Sequence, residues 1–480
     1  MPSDPPDRDD ARVTTPRELL RRYPHTIALA TVLALVVGGI AVATTAIGRA
    51  GTAGAAERCT APELAGRWTS GRLFVDARSV RTGAPVLTVR GDEPTQTGST
   101  MKLVTASAAI SALGADHRFT TKVVQGPTPG SVVLVGGGDP TLSRLPSGQD
   151  GVYPDAPHLD DLARQVRAAH PGPIDLVQVD TDLFDGPAWH PTWTTSARTS
   201  GSVSNITAPM VDGDRDDPTE AYSLRSSAAV ARAASAFAAL LGPDVRSDTT
   251  SVAVPSGAET LGSVRSAPLS ALVGTLLTHS DDTLAEVLAR HVAVAEGTGR
   301  SFDAIQAGTT TALRHVDVPT DGLRLVDGSG LSPANRVPAS TMTKLMRAVA
   351  EHEHGLAPVD AGLAVAGRTG TLGEHGRFGG AAADAEGHVR GKTGTLDDMF
   401  GLTGVTDEVR GDRIAFTVFA EGTADPAARQ EIDALAAALW RCGGDADPAD
   451  ATPARAQAQA QAQAPAPAPA QDDVDAASTE

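Results

Sequence analysis

Residues 98–114 read GSTMKLVTASAAISALG, and the fold is decided at this stretch. Its apolar residues recur at helical spacing up to the glycine at its end, which is typical of a helix and its stop signal. A helix here places Ser99 at its start and Lys102 three residues later, on the same face. The amine of Lys102 can therefore reach the hydroxyl of Ser99.

This pairing has a chemical use. A serine hydroxyl is a poor nucleophile unless a neighbouring base takes its proton, and the N–H groups at a helix start can stabilise an oxyanion. The Ser-x-x-Lys pattern alone is weak evidence, because a serine at a helix start followed by a surface lysine gives the same letters. Lysine is rare in this chain, however, and only Lys102, Lys122, Lys344 and Lys392 occur among the 480 residues.

Two further motifs follow along the chain. Ser280-Asp281-Asp282 lies between two helical patterns, and Lys392-Thr393-Gly394-Thr395 lies on a predicted strand. Ser-x-x-Lys, Ser-Asp-x and Lys-Thr-Gly, in this order, form the motif set of penicillin-binding proteins and class A β-lactamases. Two of the four lysines stand where the set requires one, so coincidence is a poor explanation.

With these motifs the chain resembles the class C, low-molecular-mass penicillin-binding proteins, which are serine D-alanyl-D-alanine carboxypeptidases and endopeptidases, and especially their actinobacterial members. The resemblance extends from about Cys59 to Cys442. It includes three further stretches that look like recurrent family sequence, at residues 135–142, 327–332 and 335–337. The long separation of Ser99 from Ser280 lies where the family carries inserted domains.

The resemblance implies a role for each motif. Ser99 would be acylated by peptidoglycan stem peptides ending in D-Ala-D-Ala and by β-lactams, Lys102 would activate it, and Ser280 would relay a proton to the leaving amine. The oxyanion would be held by the N–H groups of Ser99 and Thr395. Substrate binding would involve Asp282, Lys392, Thr393, Gly394 and Thr395. No metal or other cofactor is expected.

Asp282 departs from the family pattern, which normally has asparagine here. An ionised aspartate cannot donate a hydrogen bond to a substrate carbonyl. At about 4 Å from Lys102 it would favour the protonated amine by up to roughly 4 kcal/mol at an effective dielectric of 20, or about three pKa units. Three arrangements stay open: a protonated Asp282, a side chain turned away, and an N-cap beside the capping box Thr283-x-x-Glu286.

Two other functions also stay open. A serine β-lactamase shares the acylation step, although no clear Glu-x-x-x-Asn loop occurs between Ser280 and Lys392. A non-catalytic cell-wall-binding relative is suggested by Asp282.

A near repeat leaves the position of the third motif to be decided. Residues 367–372 read GRTGTL and residues 391–396 read GKTGTL. We place the edge strand at the second copy, because a strand meander follows it directly, whereas loop sequence follows the first.

The predicted fold class is α+β, a penicillin-recognising serine transpeptidase/β-lactamase-like domain interrupted by an inserted β-rich module. A five-stranded antiparallel sheet is predicted from β-like runs at residues 72–76, 86–90, 388–395, 400–406 and 413–420. We assign the split peptidase domain to residues 59–117 and 266–444, and the inserted module to residues 118–265.

The N-terminal part predicts a membrane anchor. Residues 26–48 are uncharged and largely apolar, and as a helix they span about 34 Å, enough for a bilayer core of about 30 Å. Arg17, Arg21 and Arg22 precede them, so residues 1–25, which we expect to be disordered, should lie in the cytoplasm. The catalytic domain should then lie outside a single-pass anchor, unless cleavage at residues 53–55 releases it.

The composition of the chain argues against one class of binding partner, the nucleic acids. The formal net charge is −18 and aromatic residues make up 3% of the chain, which disfavours phosphate backbones and base stacking. No nucleic-acid partner is therefore expected. Residues 445–480, rich in Ala, Gln, Pro and acidic residues, predict a disordered tail.

The two cysteines, Cys59 and Cys442, lie close to the ends of the region that shows the resemblance. They could form one disulfide in an oxidising compartment, or remain as two unpaired small hydrophobic residues.

Overall fold

A computed structural model describes residues 59–374 and 376–443. The segment at residues 1–25, the predicted anchor at residues 26–48 and the predicted tail at residues 445–480 lie outside these ranges. Within them, no helix has the length and apolar character needed to cross a bilayer.

The strands follow one another along the whole described chain. They are β1 (Arg72–Ser79), β2 (Pro85–Val89), β3 (Pro94–Thr95), β4 (Thr120–Gln125), β5 (Ser131–Val135), β6 (Leu176–Asp180), β7 (Arg246–Ser251), β8 (Thr260–Arg265), β9 (Val337–Pro338), β10 (Ala364–Val365), β11 (Val389–Leu396), β12 (Met399–Thr406) and β13 (Ile414–Glu421).

The α-helices lie between these strands and at both ends of the described region. They are α1 (Ala61–Gly66), α2 (Met101–Leu113), α3 (Leu159–Ala169), α4 (Thr195–Thr199), α5 (Ala229–Leu241), α6 (Leu269–His279), α7 (Asp282–Ala295), α8 (Ile305–Arg314), α9 (Ala339–Ala350), α10 (Ala357–Ala361) and α11 (Ala427–Cys442).

The main sheet is antiparallel throughout, in the order β10-β11-β12-β13-β1-β2. It contains the five predicted strands, but the expected number of strands was wrong. The short strand β10 adds a sixth beyond β11, because Ala364 and Val365 pair with Gly391 and Arg390, so β11 forms the edge of the sheet only from Lys392 onward. A strand of two residues is too short to show an alternation of apolar and polar residues in the sequence.

Both faces of this sheet are covered. Strands β12 and β13 are buried along almost their entire length, and successive side chains enter two different cores. Phe419 packs on one side with residues of α2, α6 and α9, whereas Val418 packs on the other side with residues of α1 and α11. On this second side a disulfide joins Cys59 to Cys442.

The inserted module has its own sheet, in the order β7-β6-β5-β4-β8. Strands β5, β6 and β7 run parallel to one another, while β4 is antiparallel to both of its neighbours. Helices α3 and α5 pack on this sheet through Leu162, Val166 and Phe237. The module is therefore a mixed α/β unit rather than merely β-rich, since parallel strands need helical crossovers.

The module enters and leaves the main domain at one place. Phe119, at its start, and Ser266, the first residue after it, exchange hydrogen bonds, with Ser266 N donating to the Phe119 carbonyl at 2.9 Å and Phe119 N donating to Ser266 Oγ at 3.0 Å. The insertion consequently leaves the helices on either side free to pack together, as α2 does with α6 and α7.

Candidate active site

Ser99 lies in a single 3₁₀ turn, Gly98–Thr100, that leads into α2. Gly98 adopts φ +49°, and a Cβ there would lie 2.7 Å from Thr395 N on strand β11. Across the same junction, a Cβ on Gly394 would lie 2.3 Å from the Thr97 carbonyl oxygen. The two glycines therefore let the turn and the edge strand approach at backbone distance, so that Ser99 and Thr395 line one cleft.

Lys102 is fully buried, and its amine is surrounded by oxygen atoms. Nζ donates to Ser99 Oγ at 2.8 Å, to Asp282 Oδ1 at 2.5 Å and to the Ser329 carbonyl at 2.9 Å. An ammonium group has three donors, so these contacts satisfy it completely. The predicted pairing of Lys102 with Ser99 is thus present in the structure.

The second motif lies at the junction of two helices. Helix α6 ends at His279, Ser280 takes the left-handed conformation with φ 58°, and α7 begins at Asp282. The N-cap is Asp281, whose side chain accepts from Leu284 N at 2.9 Å. Ser280 lines the cleft together with Ser99.

Two of the three arrangements left open for Asp282 are therefore wrong. Its side chain is not turned away, because it contacts Lys102, and it is not the N-cap, because Asp281 fills that position. Burial raises the pKa of Asp282 above its usual value, although the charge of Lys102 opposes this shift. Burial and the neighbouring amine therefore act on the pKa of this carboxyl group in opposite directions, and the third arrangement, a protonated Asp282, stays a prediction.

The third motif lies on β11, next to the cleft. Lys392 is fully buried, and its Nζ donates to the Thr393 carbonyl at 3.0 Å. Burial, and then the positive charge of Lys102, lower the pKa of Lys392 well below its usual value, while Asp282 acts in the opposite direction. The charges of Lys102 and Asp282 therefore both act on the pKa of Lys392, in opposite directions.

The near repeat of this motif does not form the edge strand. Residues 367–372 lie in a loop that ends in the 3₁₀ turn Gly370–Leu372. Thr371 Oγ1 lies 2.7 Å from Thr393 Oγ1, so the loop that contains the first copy is hydrogen-bonded to strand β11, which contains the second copy.

One wall of the cleft comes from the inserted module. The cleft has a volume of about 190 Å³, and the module contributes Val152, Arg215, Tyr222 and Arg225 to its lining. Tyr222 is 69% exposed at this surface, which places an aromatic ring beside the nucleophile without burying it. No motif in the sequence indicates this role for the module.

The module also holds the second motif in place. Tyr153 Oη donates to Asp281 Oδ2 at 2.9 Å, and Arg215 Nη2 donates to the same oxygen at 2.8 Å. Burial alone would raise the pKa of Asp281, but the charges of Arg215 and Arg225 outweigh it and lower the pKa to about 2. Asp281 is therefore a buried anion whose charge is balanced by the module.

Other residues of the site were missed. Ser329 supplies a carbonyl to Lys102, and its only signal was the family-like stretch at residues 327–332. Glu286 does not close the expected capping box; its carboxylate instead accepts from the backbone of Gly328 and Ser329. Arg215 and Tyr153 belong to no motif, so their contacts with Asp281 left no signal in the sequence.

Comparison with known proteins gives a consistent assignment. The family described as D-Ala-D-Ala carboxypeptidase 3 (S13) matches residues 56–236 and 215–441. A carboxypeptidase of Mycobacterium tuberculosis is 38% identical over 378 residues, covering 78% of this chain and 81% of that protein. Carboxypeptidase DacB of Mycolicibacterium smegmatis is 37% identical over 364 residues, covering 75% and 79%.

The fold also has a counterpart among solved structures. Penicillin binding protein 4 of Haemophilus influenzae superimposes with a TM-score of 0.66 at 20% identity, covering 79% of this chain and 98% of that one. A second structure of that protein, complexed with a β-lactam, superimposes with a TM-score of 0.60 over the same shares of the two chains. At this identity the match identifies the fold.

The ion pair between Arg215 and Asp281 gives a prediction about stability. Arg215→Met leaves a buried carboxylate without its main counter-charge, so we expect the free energy of unfolding to fall by about 3–5 kcal/mol. Urea denaturation measures the change. As a matched control, Arg368→Met removes an exposed pair with Glu386, with side chains 60% and 54% exposed, and should cost less than about 1 kcal/mol. Equal losses in the two variants would contradict the account given for Asp281.

Proposed function

The chain belongs to the D-Ala-D-Ala carboxypeptidase 3 (S13) family, and we propose that it hydrolyses peptidoglycan stem peptides through an acyl-enzyme on Ser99. It acts as a carboxypeptidase on terminal D-Ala-D-Ala and as an endopeptidase on cross-linked peptides. The observation that carries this proposal is the 2.8 Å contact between Lys102 Nζ and Ser99 Oγ, beside a cleft that Ser280 and Thr395 also line.

In the acylation step, the neutral amine of Lys102 takes the proton of Ser99 as Oγ attacks the carbonyl carbon of the penultimate D-Ala. The N–H groups of Ser99 and Thr395 hold the oxyanion that forms. The C–N bond then breaks, and the Lys102 proton passes through the Ser280 hydroxyl to the leaving amine of the terminal D-Ala.

In the deacylation step, water replaces the departed amine. It attacks the ester on Ser99 while a proton returns through Lys102, and the shortened stem peptide leaves with a new carboxylate. A β-lactam acylates the same oxygen when its ring amide opens, and this fits the β-lactam complex of the Haemophilus protein.

The edge strand holds the terminal carboxylate of the substrate. Thr395 lines the cleft, and Lys392 lies buried on the same strand. Burial lowers the pKa of Lys392, and a bound carboxylate would shift this pKa upwards again, which favours the charged amine.

Asp282 decides when Lys102 can act as a base. An ionised Asp282 keeps the proton on Lys102, and the amine then cannot accept one from Ser99. Acylation therefore requires that the proton of the pair lie on the carboxyl group of Asp282, whose pKa burial raises although the charge of Lys102 opposes this shift. The resulting neutral pair has a free amine next to Ser99 and a carboxyl group able to donate a hydrogen bond.

The nucleophile can be tested directly. We expect Ser99→Ala to abolish both labelling by a fluorescent penicillin and release of D-Ala from a stem pentapeptide, because no oxygen remains to be acylated. Ser107→Ala is the control, since this buried hydroxyl on the same helix has no hydrogen-bond partner among the described residues. Labelling of the Ser99→Ala protein at the rate of the control would refute the assignment.

The role of Asp282 predicts a change in the pH profile. We expect Asp282→Asn to move the rising limb of the acylation rate towards lower pH by about one to three units, because Lys102 then loses its proton more easily. Stopped-flow labelling with penicillin over a pH series measures the midpoint. An unchanged midpoint would mean that the carboxylate does not control the charge of Lys102.

We also propose that the chain is held in the cell membrane by residues 26–48, with the peptidase domain on the outer side. The uncharged apolar run and the arginines before it support this, as does the pairing of Cys59 with Cys442, since disulfides persist in oxidising compartments. We expect the full chain to sediment with membranes and to be labelled in intact cells by a penicillin that does not enter the cytoplasm. A chain lacking residues 1–48 should remain inside and unlabelled, and equal labelling of both would contradict the proposal.

A further inference from the structure

The loop at residues 327–332 lies between helices α2 and α7, next to the base. Its backbone is bonded from two sides: Thr105 Oγ1 on α2 donates to the Gly328 carbonyl at 2.6 Å, and Lys102 Nζ donates to the Ser329 carbonyl at 2.9 Å. The carbonyl groups of this short stretch thus face the helix that carries the nucleophile.

The N–H groups of the same stretch face Glu286 on α7. The Gly328 N–H lies 3.1 and 3.0 Å from the two carboxylate oxygens, and the Ser329 N–H donates to Oε1 at 2.6 Å. Glu286 is fully buried, one helical turn after Asp282. The backbone at residues 328–329 is therefore clamped between a carboxylate on one helix and an amine on the other.

The rest of the loop is fixed by a different acid. Asp327 accepts hydrogen bonds from Gly330 N at 3.0 Å, Ser332 N at 2.7 Å, Asn335 Nδ2 at 2.6 Å and Trp193 Nε1 at 2.9 Å. None of these donors belongs to Gly328 or Ser329. The peptide group that carries the Ser329 carbonyl is therefore held by Asp327 through the Gly330 N–H, and the two peptide groups before it are held by Glu286.

We propose that Glu286 is a positioning residue for Lys102, acting through the backbone of Gly328 and Ser329. Its carboxylate fixes the Ser329 N–H, while Asp327 fixes the peptide group that carries the Ser329 carbonyl. That carbonyl takes one hydrogen of the amine, so that the lone pair of the neutral form is aimed at Ser99. This inference rests on the proposed function, since it assigns Glu286 a part in the same acylation step.

The protonation state of Glu286 affects how well it holds the backbone at residues 328–329. Two N–H groups need acceptors only, and an ionised carboxylate offers them, whereas a protonated one gives up part of its accepting capacity. Burial, and then the neighbouring Asp327, raise the pKa of Glu286 to about 8. The other charged groups near Glu286 are Arg290 one turn along α7, Lys102 across the Ser329 peptide, and Asp282.

Glu286→Gln tests the inference, because the side chain keeps its size but its amide N–H₂ group opposes the backbone donors. We expect the acylation rate per active molecule to fall about tenfold or more. The rising limb of its pH profile should move towards lower pH, because the protonated amine loses a well-placed acceptor. Penicillin labelling of the full chain measures both quantities, with active molecules counted from the labelling end point.

Asp412→Asn is the matched control. Asp412 is also a buried acid that accepts from the backbone, here from Arg81 N at 3.1 Å, but it lies by Ser79, at the end of β1. We expect this variant to lose stability while its acylation rate and pH profile stay as in the wild type. A Glu286→Gln protein that behaves in the same way would overturn the inference.

A second variant keeps the test informative if Glu286→Gln does not fold. Thr105→Val removes the hydrogen bond to the Gly328 carbonyl from the opposite side without removing a charge. We expect a smaller fall in acylation rate, and an unchanged rate would count against the clamp. Wild-type protein that is not labelled would refute the proposed function, whereas normal labelling of wild type and variants alike would refute the positioning role alone.

Discussion

The site depends on one buried amine. Lys102 Nζ holds a hydroxyl from its own helix, a carboxylate from α7 and a backbone carbonyl from the loop at residues 327–332. A buried charge without such partners would be costly, so these three segments must meet if the domain is to fold. The interaction that prepares the nucleophile is thus also one that brings distant parts of the chain together.

The surrounding architecture keeps the amine of Lys102 buried and next to Ser99. The sheet is covered on both faces, and its edge strand contacts the nucleophile turn through Gly98 and Gly394. The inserted module closes the cleft from the other side and binds Asp281. An insertion between the first two motifs therefore acts as a wall of the site, although it lies far from both in sequence.

The motifs predicted much of this arrangement, and the reason is local. Ser99 and Lys102 lie one helical turn apart, so their pairing follows from a short stretch of chain. The strands of the meander are β-like runs that are long enough to recognise in the sequence. The contacts of Arg215 with Asp281 and of Glu286 with Ser329 join residues far apart in sequence, and burial decides their partners. Strand β10 was missed because two residues carry no periodicity. Asp282 could be singled out as unusual, but its orientation depended on the packing of α7 against α2.

The bond between Cys59 and Cys442 closes the described domain into a covalent ring. A single backbone cut anywhere between these residues, including one in the inserted module, opens the ring but leaves both fragments joined. A nicked molecule would therefore keep all three motifs on one covalent unit until a reductant reached the bridge.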